Sequence, residues 1–185
     1  MKATLRHHIL QKRKTQPFSV KKKKNAAIYL RLAHMALFQN ARVVFTYVSK
    51  EDEVDTHQIL QKYCGRKKIV VPRVRDEKHL ELFSCENKTE LAHGAFGILE
   101  PHHRTSTSHK SAIDLALIPG IVFDPTGHRI GFGKGYFDRF LKKLHCQKIG
   151  LAYEFQIVDK ISATAYDVPV DYIVTEKRII RCRKK

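Results

Sequence analysis

Residues 113–144 read IDLALIPGIVFDPTGHRIGFGKGYFDRFLKKL, and most of the chemistry in the sequence lies in this stretch. Asp114 to Ile118 is a short apolar run with the pattern of a buried strand; Pro119-Gly120 breaks it and Ile121 to Phe123 resumes it. Asp124-Pro125-Thr126-Gly127 has the residues a type I turn favours, so Arg129-Ile130 is expected to pair back as a strand. Glycines then fall at alternate positions, Gly131, Gly133 and Gly135, and lead into a helical pattern at Tyr136-Phe137-Asp138. Phe137, Phe140, Leu141 and Leu144 would share one face of that helix.

Strand, glycine loop and helix start together make an anion cradle. Glycines let backbone N–H groups turn inward with no Cβ in the way, and a helix start adds unpaired donors. Lys134 and Arg129 supply formal charge, and Asp138 could carry a metal that bridges phosphates. The spacing Gly-x-Gly-x-Gly matches neither the dinucleotide fingerprint nor the Walker A pattern. A glycine-rich β-turn with Lys134 in solvent therefore stays open at the level of spacing alone.

Working outward, 185 residues with 43% hydrophobic content suit one domain with a sizeable core. We expect a single domain over 1–185, with 101–112 a mobile loop and 181–185 a basic tail. No run reaches the length of a membrane span, and MKATLRHHILQKRK lacks the apolar centre of a signal peptide, so a cytoplasmic protein is expected. Cys64, Cys85, Cys146 and Cys182 lack Cys-x-x-Cys spacing, which speaks against zinc and against a disulfide framework. A net charge of +17 points to acidic partners without choosing among them. A nucleic-acid-binding module is the alternative it raises, but Lys21–Lys24 has no interleaved aromatic residues and reads as a solvated helix face.

Along the chain, Lys2 to about Lys14 is an amphipathic helix on which Lys2 and Arg6 stand at i and i+4, able to reach one anion together. Ser19 is a plausible N-cap for a second helix running to about Gln39. Arg42 to Val48 reads as a central strand, followed by a charged loop containing Glu53, and such carboxyl-end loops are where open α/β sheets bind ligands. A helix from Val54 to Tyr63 and a strand from Lys68 ended by Pro72 follow. Lys78 to Cys85 and Lys148 to Tyr153 are further strands, Gly94 to Pro101 an irregular loop, and Asp167 to Thr175 holds the last strand. Repeated strand–helix alternation favours an α/β domain of three layers, α/β/α, with a mostly parallel sheet.

With these residues in view, the chain resembles the 5-formyltetrahydrofolate cyclo-ligase (5,10-methenyltetrahydrofolate synthetase) family nearly end to end. The likeness rests on Lys2-x-x-x-Arg6, Glu53, Gly97-Ile98-Leu99-Glu100-Pro101 and, above all, the run from Asp114 to Leu141. It implies a fold similar to the ribose-phosphate isomerase and CoA-transferase group. It also implies an ATP-dependent ring closure, in which the formyl oxygen of 5-formyltetrahydrofolate attacks the γ-phosphate and N10 then closes the ring. Lys2 and Arg6 would hold phosphates of ATP. Arg129, Ile130, Gly131, Phe132, Gly133, Lys134, Gly135, Tyr136 and Phe137 would wrap the triphosphate, with Lys134 and Arg129 the catalytic charges. Asp138 and Asp171 would bind Mg²⁺. Val48 and Glu53 would contact the folate, polyglutamylated or not, with Phe132, Gly133, Lys134, Gly135 and Tyr136 facing it from the other side. A monomer with no membrane partner and no nucleic-acid partner is expected.

Overall fold

The computed structural model describes residues 2–74, 80–85, 91–93, 99–101, 112–133 and 135–183. Its centre is a seven-stranded sheet built from β1 (Val43–Phe45), β2 (Lys68–Val74), β3 (Leu80–Cys85), β6 (Leu115–Ile118), β9 (Gln147–Leu151), β10 (Tyr172–Val174) and β11 (Ile179–Arg181). The strand order is β11-β10-β9-β6-β1-β2-β3. All neighbours among β10, β9, β6, β1 and β2 pair in parallel, while β3 and β11 close the two edges antiparallel.

The alternation of side chains across the pleat explains why both faces must be covered. Leu115 and Leu117 of β6 pack into one cluster with Ile28, Leu32, Phe38, Ile59 and Leu60. Ala116 and Ile118 point the other way, to Phe140, Leu141 and Leu144. The first face is therefore roofed by α2 (Phe18–Ala33), α3 (Ala36–Asn40) and α4 (His57–Tyr63), the second by α5 (Tyr136–Leu141) and the turns around it. This is the expected α/β architecture with a mostly parallel sheet. A third cluster joins α1 (Lys2–Lys14) to the short hairpin β7 (Val122–Phe123) and β8 (Arg129–Ile130), with Ile9, Ile121, Val122, Ile130 and Ile161 buried together.

The expected turn at Asp124–Gly127 forms: Gly127 N–H donates to Asp124 O at 2.9 Å, and Val122 pairs with Ile130. The Asp124 side chain accepts the Ile161 N–H at Oδ2, at 2.8 Å, which fixes the hairpin against the chain after β9.

Several expectations are corrected. The second helix starts after Pro17 rather than at a Ser19 cap, and it breaks at His34-Met35 into α2 and α3. Pro72 lies inside β2, opposite Leu82 of β3; β1 pairs with β2 only as far as Val70, so past that point the missing N–H breaks no ladder on that side. Of the basic tail expected from 181 to 185, Arg181 belongs to a strand, since Ile179–Arg181 forms β11 on β10. Part of the loop expected at 94–101 is β5 (Leu99–Pro101), paired with β4 (Leu91–His93). The loop at 102–111 and Lys134 lie outside the described residues. No helix among the described residues is long and apolar enough to cross a membrane.

Candidate active site

Loop 46–56 leaves the carboxyl end of β1 and is built by its own hydrogen bonds. The Thr56 hydroxyl donates to Tyr47 O at 2.7 Å and accepts the Ser49 N–H, while the Ser49 hydroxyl accepts the Thr56 N–H at 3.0 Å. Tyr47 donates its hydroxyl to Val54 O, and Tyr153, which follows β9, donates to Glu53 O at 3.1 Å. Every one of these groups is buried, so leaving any of them unpaired would cost about 1–3 kcal/mol, and the loop is held in one shape. Val48 packs on the core beneath it.

Glu53 is the chemical centre of this loop. Its side chain is 9% exposed, Oε2 accepts the Lys50 N–H at 3.0 Å, and Oε1 lies 3.8 Å from the guanidinium of Arg13. Burial raises its pKa above the usual glutamate value; the Lys50 N–H and Arg13 work in the opposite direction.

The glycine loop faces this loop across a short gap. The ammonium of Lys50 lies 5.5 Å from the centroid of the Phe132 ring, and Phe132 is more than half exposed. From the other side α1 docks: Arg6 Nε donates to Gly131 O at 2.9 Å. A Cβ placed on Gly133 would stand 3.6 Å from Arg6 Nη2, so the guanidinium runs directly beside the loop. Gly133 and Gly135 have φ of +99° and +65°, backbone that favours glycine. Helix α5 has only six residues, so the loop amides and Arg6 count for more here than a helix end does.

Other expected residues sit differently. Arg129 is 7% exposed; Nη1 donates to Val168 O at 2.7 Å and Nη2 to Asp138 Oδ1 at 2.9 Å, so it braces β8 against α5 rather than reaching into the gap. Burial lowers its pKa and Asp138 opposes that. The Ile130 side chain is in the α1 cluster, which leaves only its backbone for a ligand. Phe137 packs into the core, edge-on to Phe45 at 6.4 Å. Tyr136 lies under the Arg139 guanidinium, 5.4 Å from its ring centroid. The ammonium of Lys2 is 3.3 Å from Asp167 Oδ2.

The two expected magnesium ligands have different surroundings. Asp138 Oδ1 is engaged by Arg129 and by the Val168 N–H. Asp171 stands at the amino ends of β9 and β10, where Oδ2 accepts the Lys148 N–H at 2.9 Å; in a parallel sheet that is the opposite edge from the loop of Glu53. Among the described residues no group of three or more His, Cys, Asp or Glu side chains is placed to hold a metal ion. As arranged, Asp138 fits a single carboxylate contact near the loop, and Asp171 does not join it.

Residues 1–176 of the chain match the family model described as the 5-formyltetrahydrofolate cyclo-ligase family. The chain belongs to the 5-formyltetrahydrofolate cyclo-ligase family. A mouse 5-formyltetrahydrofolate cyclo-ligase is 29% identical over 153 residues, covering 75% of each chain. The solution structure of the Aquifex aeolicus 5,10-methenyltetrahydrofolate synthetase superposes with a TM-score of 0.89 at 32% identity, over 100% of this chain and 94% of that one. The corresponding enzyme from Mycoplasma pneumoniae gives a TM-score of 0.76 at 27% identity, over 95% of this chain and 98% of that one. Membership of the cyclo-ligase family makes the chain an enzyme of folate one-carbon metabolism, and a nucleic-acid-binding module finds no support among these relatives.

Within the cyclo-ligase site three residues escaped the sequence reading: Arg13, Lys50 and Asp167. Arg13 was legible in principle, since Lys2, Arg6, Ile9 and Arg13 recur at helical spacing on one face. Asp167 offered no such signal; only the chain path brings it beside Lys2.

Proposed function

We propose that the chain converts 5-formyltetrahydrofolate to 5,10-methenyltetrahydrofolate with conversion of ATP to ADP and phosphate. The observation that carries this reading is the approach of the two loops, with Lys50 over Phe132 on one side and Arg6 on Gly131 O on the other. One loop offers a buried carboxylate, the other backbone amides and cations, so an acceptor for a pterin ring and a cradle for a triphosphate share one gap.

In the proposed reaction the formyl oxygen bonds to the γ-phosphorus as the bond to the ADP oxygen breaks. N10 then bonds to the formyl carbon, loses its proton to water, and phosphate leaves with its oxygen. Glu53 would accept hydrogen bonds from the pterin ring and, with Val48, set where the formyl group stands. Lys2, Arg6 and the amides of the glycine loop would offset charge on the triphosphate, with Lys134 adding a further cation. Positioning and charge stabilisation supply most of the rate in such transfers. Magnesium belongs to the proposal as a counter-charge for the triphosphate, with Asp138 the carboxylate that would hold it. Arg129 acts from behind, by fixing Asp138. The monomeric state, the cytoplasmic location and the acceptance of polyglutamylated folate are parts of the same proposal that rest on sequence and resemblance.

Incubated with 5-formyltetrahydrofolate, ATP and Mg²⁺, the protein is expected to generate the methenyl chromophore, and to stop when a chelator is added. An absorbance that never rises at any enzyme concentration would overturn the reading.

A further inference from the structure

One buried charge has no part in the reading above. Arg13 lies in the last turn of α1 with its side chain 1% exposed. Burying a guanidinium costs several kcal/mol unless its charge is answered. The answer comes from loop 46–56: Nε donates to Asp52 O at 2.9 Å, and Nη2 lies 2.9 Å from Asp52 Oδ2 and 3.8 Å from Glu53 Oε1. Nη2 is sealed from solvent and makes no aligned hydrogen bond among the described residues, so what it gives the loop is charge. Lys2 and Arg6 stand eleven and seven residues earlier, close to whole numbers of helical turns, so all three cations project from one side of α1.

We propose that Arg13 is a positioning residue for the folate, which acts by keeping the Glu53 carboxylate in place and ionised. This rests on the reading of Glu53 as the pterin acceptor. The groups that act on the Glu53 carboxyl are Arg13 from α1, Lys50 and Asp52 from its own loop and Tyr47 just after β1, while Tyr153, which follows β9, donates to the Glu53 backbone carbonyl. Two of these are cations, and the ammonium of Lys50 is already placed over the Phe132 ring, which leaves Arg13 as the buried one. Asp52 and the low-polarity surroundings both push Glu53 towards its neutral form. Without Arg13, Glu53 would take up a proton at higher pH than it does now. A neutral carboxyl has lost acceptor capacity at one oxygen, so folate binding would weaken as pH falls.

Steady-state kinetics of Arg13→Met, Arg13→Lys, Glu53→Gln and the Arg13→Met/Glu53→Gln double variant, from about pH 6 to 9, test this. Arg13→Met is expected to raise KM for 5-formyltetrahydrofolate by roughly tenfold while KM for ATP stays within about twofold. Its kcat/KM for the folate should climb with pH where that of the parent is flat, and Arg13→Lys should restore part of the loss. The double variant should be no worse than Glu53→Gln alone, because both changes remove one interaction. Should Arg13→Met fold poorly, Asp52→Asn tests the same balance with the opposite sign: it removes the carboxylate that pushes Glu53 towards its neutral form, so kcat/KM for the folate should stay flat to at least as low a pH as in the parent, and a profile that turns down at higher pH than the parent's would overturn the proposal. Equal rises in both KM values would mean that Arg13 only steadies α1, since Lys2 and Arg6 share that helix, and would overturn the proposal. So would additive effects with Glu53→Gln, or a flat pH profile in Arg13→Met. A Glu53→Gln enzyme with unaltered folate KM would remove the reading of Glu53 itself, and this inference with it.

Discussion

Gly127 and Gly131 are four residues apart and equivalent to the eye in the sequence, yet only one of them is required. Gly127 has φ of +89°, and a Cβ there would come within 2.2 Å of the Val170 carbonyl oxygen. That oxygen cannot move cheaply, because the Val170 N–H is bonded to Gly127 O at 2.9 Å. Gly131 has no atom within 4 Å of its would-be Cβ. Gly127→Ala is therefore expected to cost about 2–4 kcal/mol in urea unfolding, and Gly131→Ala less than about 1 kcal/mol. Losses of similar size in the two variants would show that the contact with Val170 does not constrain the hairpin. At this scale the sequence was half legible. The alternate glycines marked the loop correctly, but spacing carries no φ, so it could not separate Gly133 and Gly135, whose backbone needs glycine, from Gly131, whose backbone does not.

At the scale of elements, α1 acts as the clasp between the two loops, with Lys2 on Asp167, Arg6 on Gly131 O, Ile9 in the core and Arg13 on Asp52. The amphipathic pattern located the helix. It did not reveal a buried arginine, because a basic residue on a helix so rich in charge reads as solvated unless its partner is seen. The same reason hid Asp167. Burial pushes its pKa up, but the Thr164 N–H and Lys2 outweigh that, and the net result is a value below the ordinary aspartate pKa of 3.8. A carboxylate lowered on folding stabilises the protein above its unfolded pKa and loses that contribution as pH falls through the folded one. Asp167→Asn should then cost no more than about 1 kcal/mol near neutral pH, since Lys2 is 37% exposed and the pair is partly screened. The gap between variant and parent should close as pH falls below about 4, as thermal melts across that range would record. A gap that persists in acid would mean that the carboxylate charge is not what matters there.

For the whole molecule, the strand–helix alternation predicted a mostly parallel sheet, and the carboxyl-edge rule pointed to the loop of Glu53. Both follow from local patterns that repeat along the chain. What stayed hidden were features set by the far edges and by distant partners: β11 inside a basic segment, β2 running through Pro72, and the placement of Asp171 on the edge away from Glu53. Sequence likeness supplies residue identities but not which edge of the sheet each one ends on. The central claim, a single gap in which the acceptor loop and the glycine loop act on one pair of substrates, is tested most directly by stoichiometry. ADP and methenyltetrahydrofolate are followed together while 5-formyltetrahydrofolate is limiting. The account expects one ADP for each methenyl product and no ADP in the absence of the folate. Methenyl product formed without ADP, or ADP released at the same rate without folate, would contradict it.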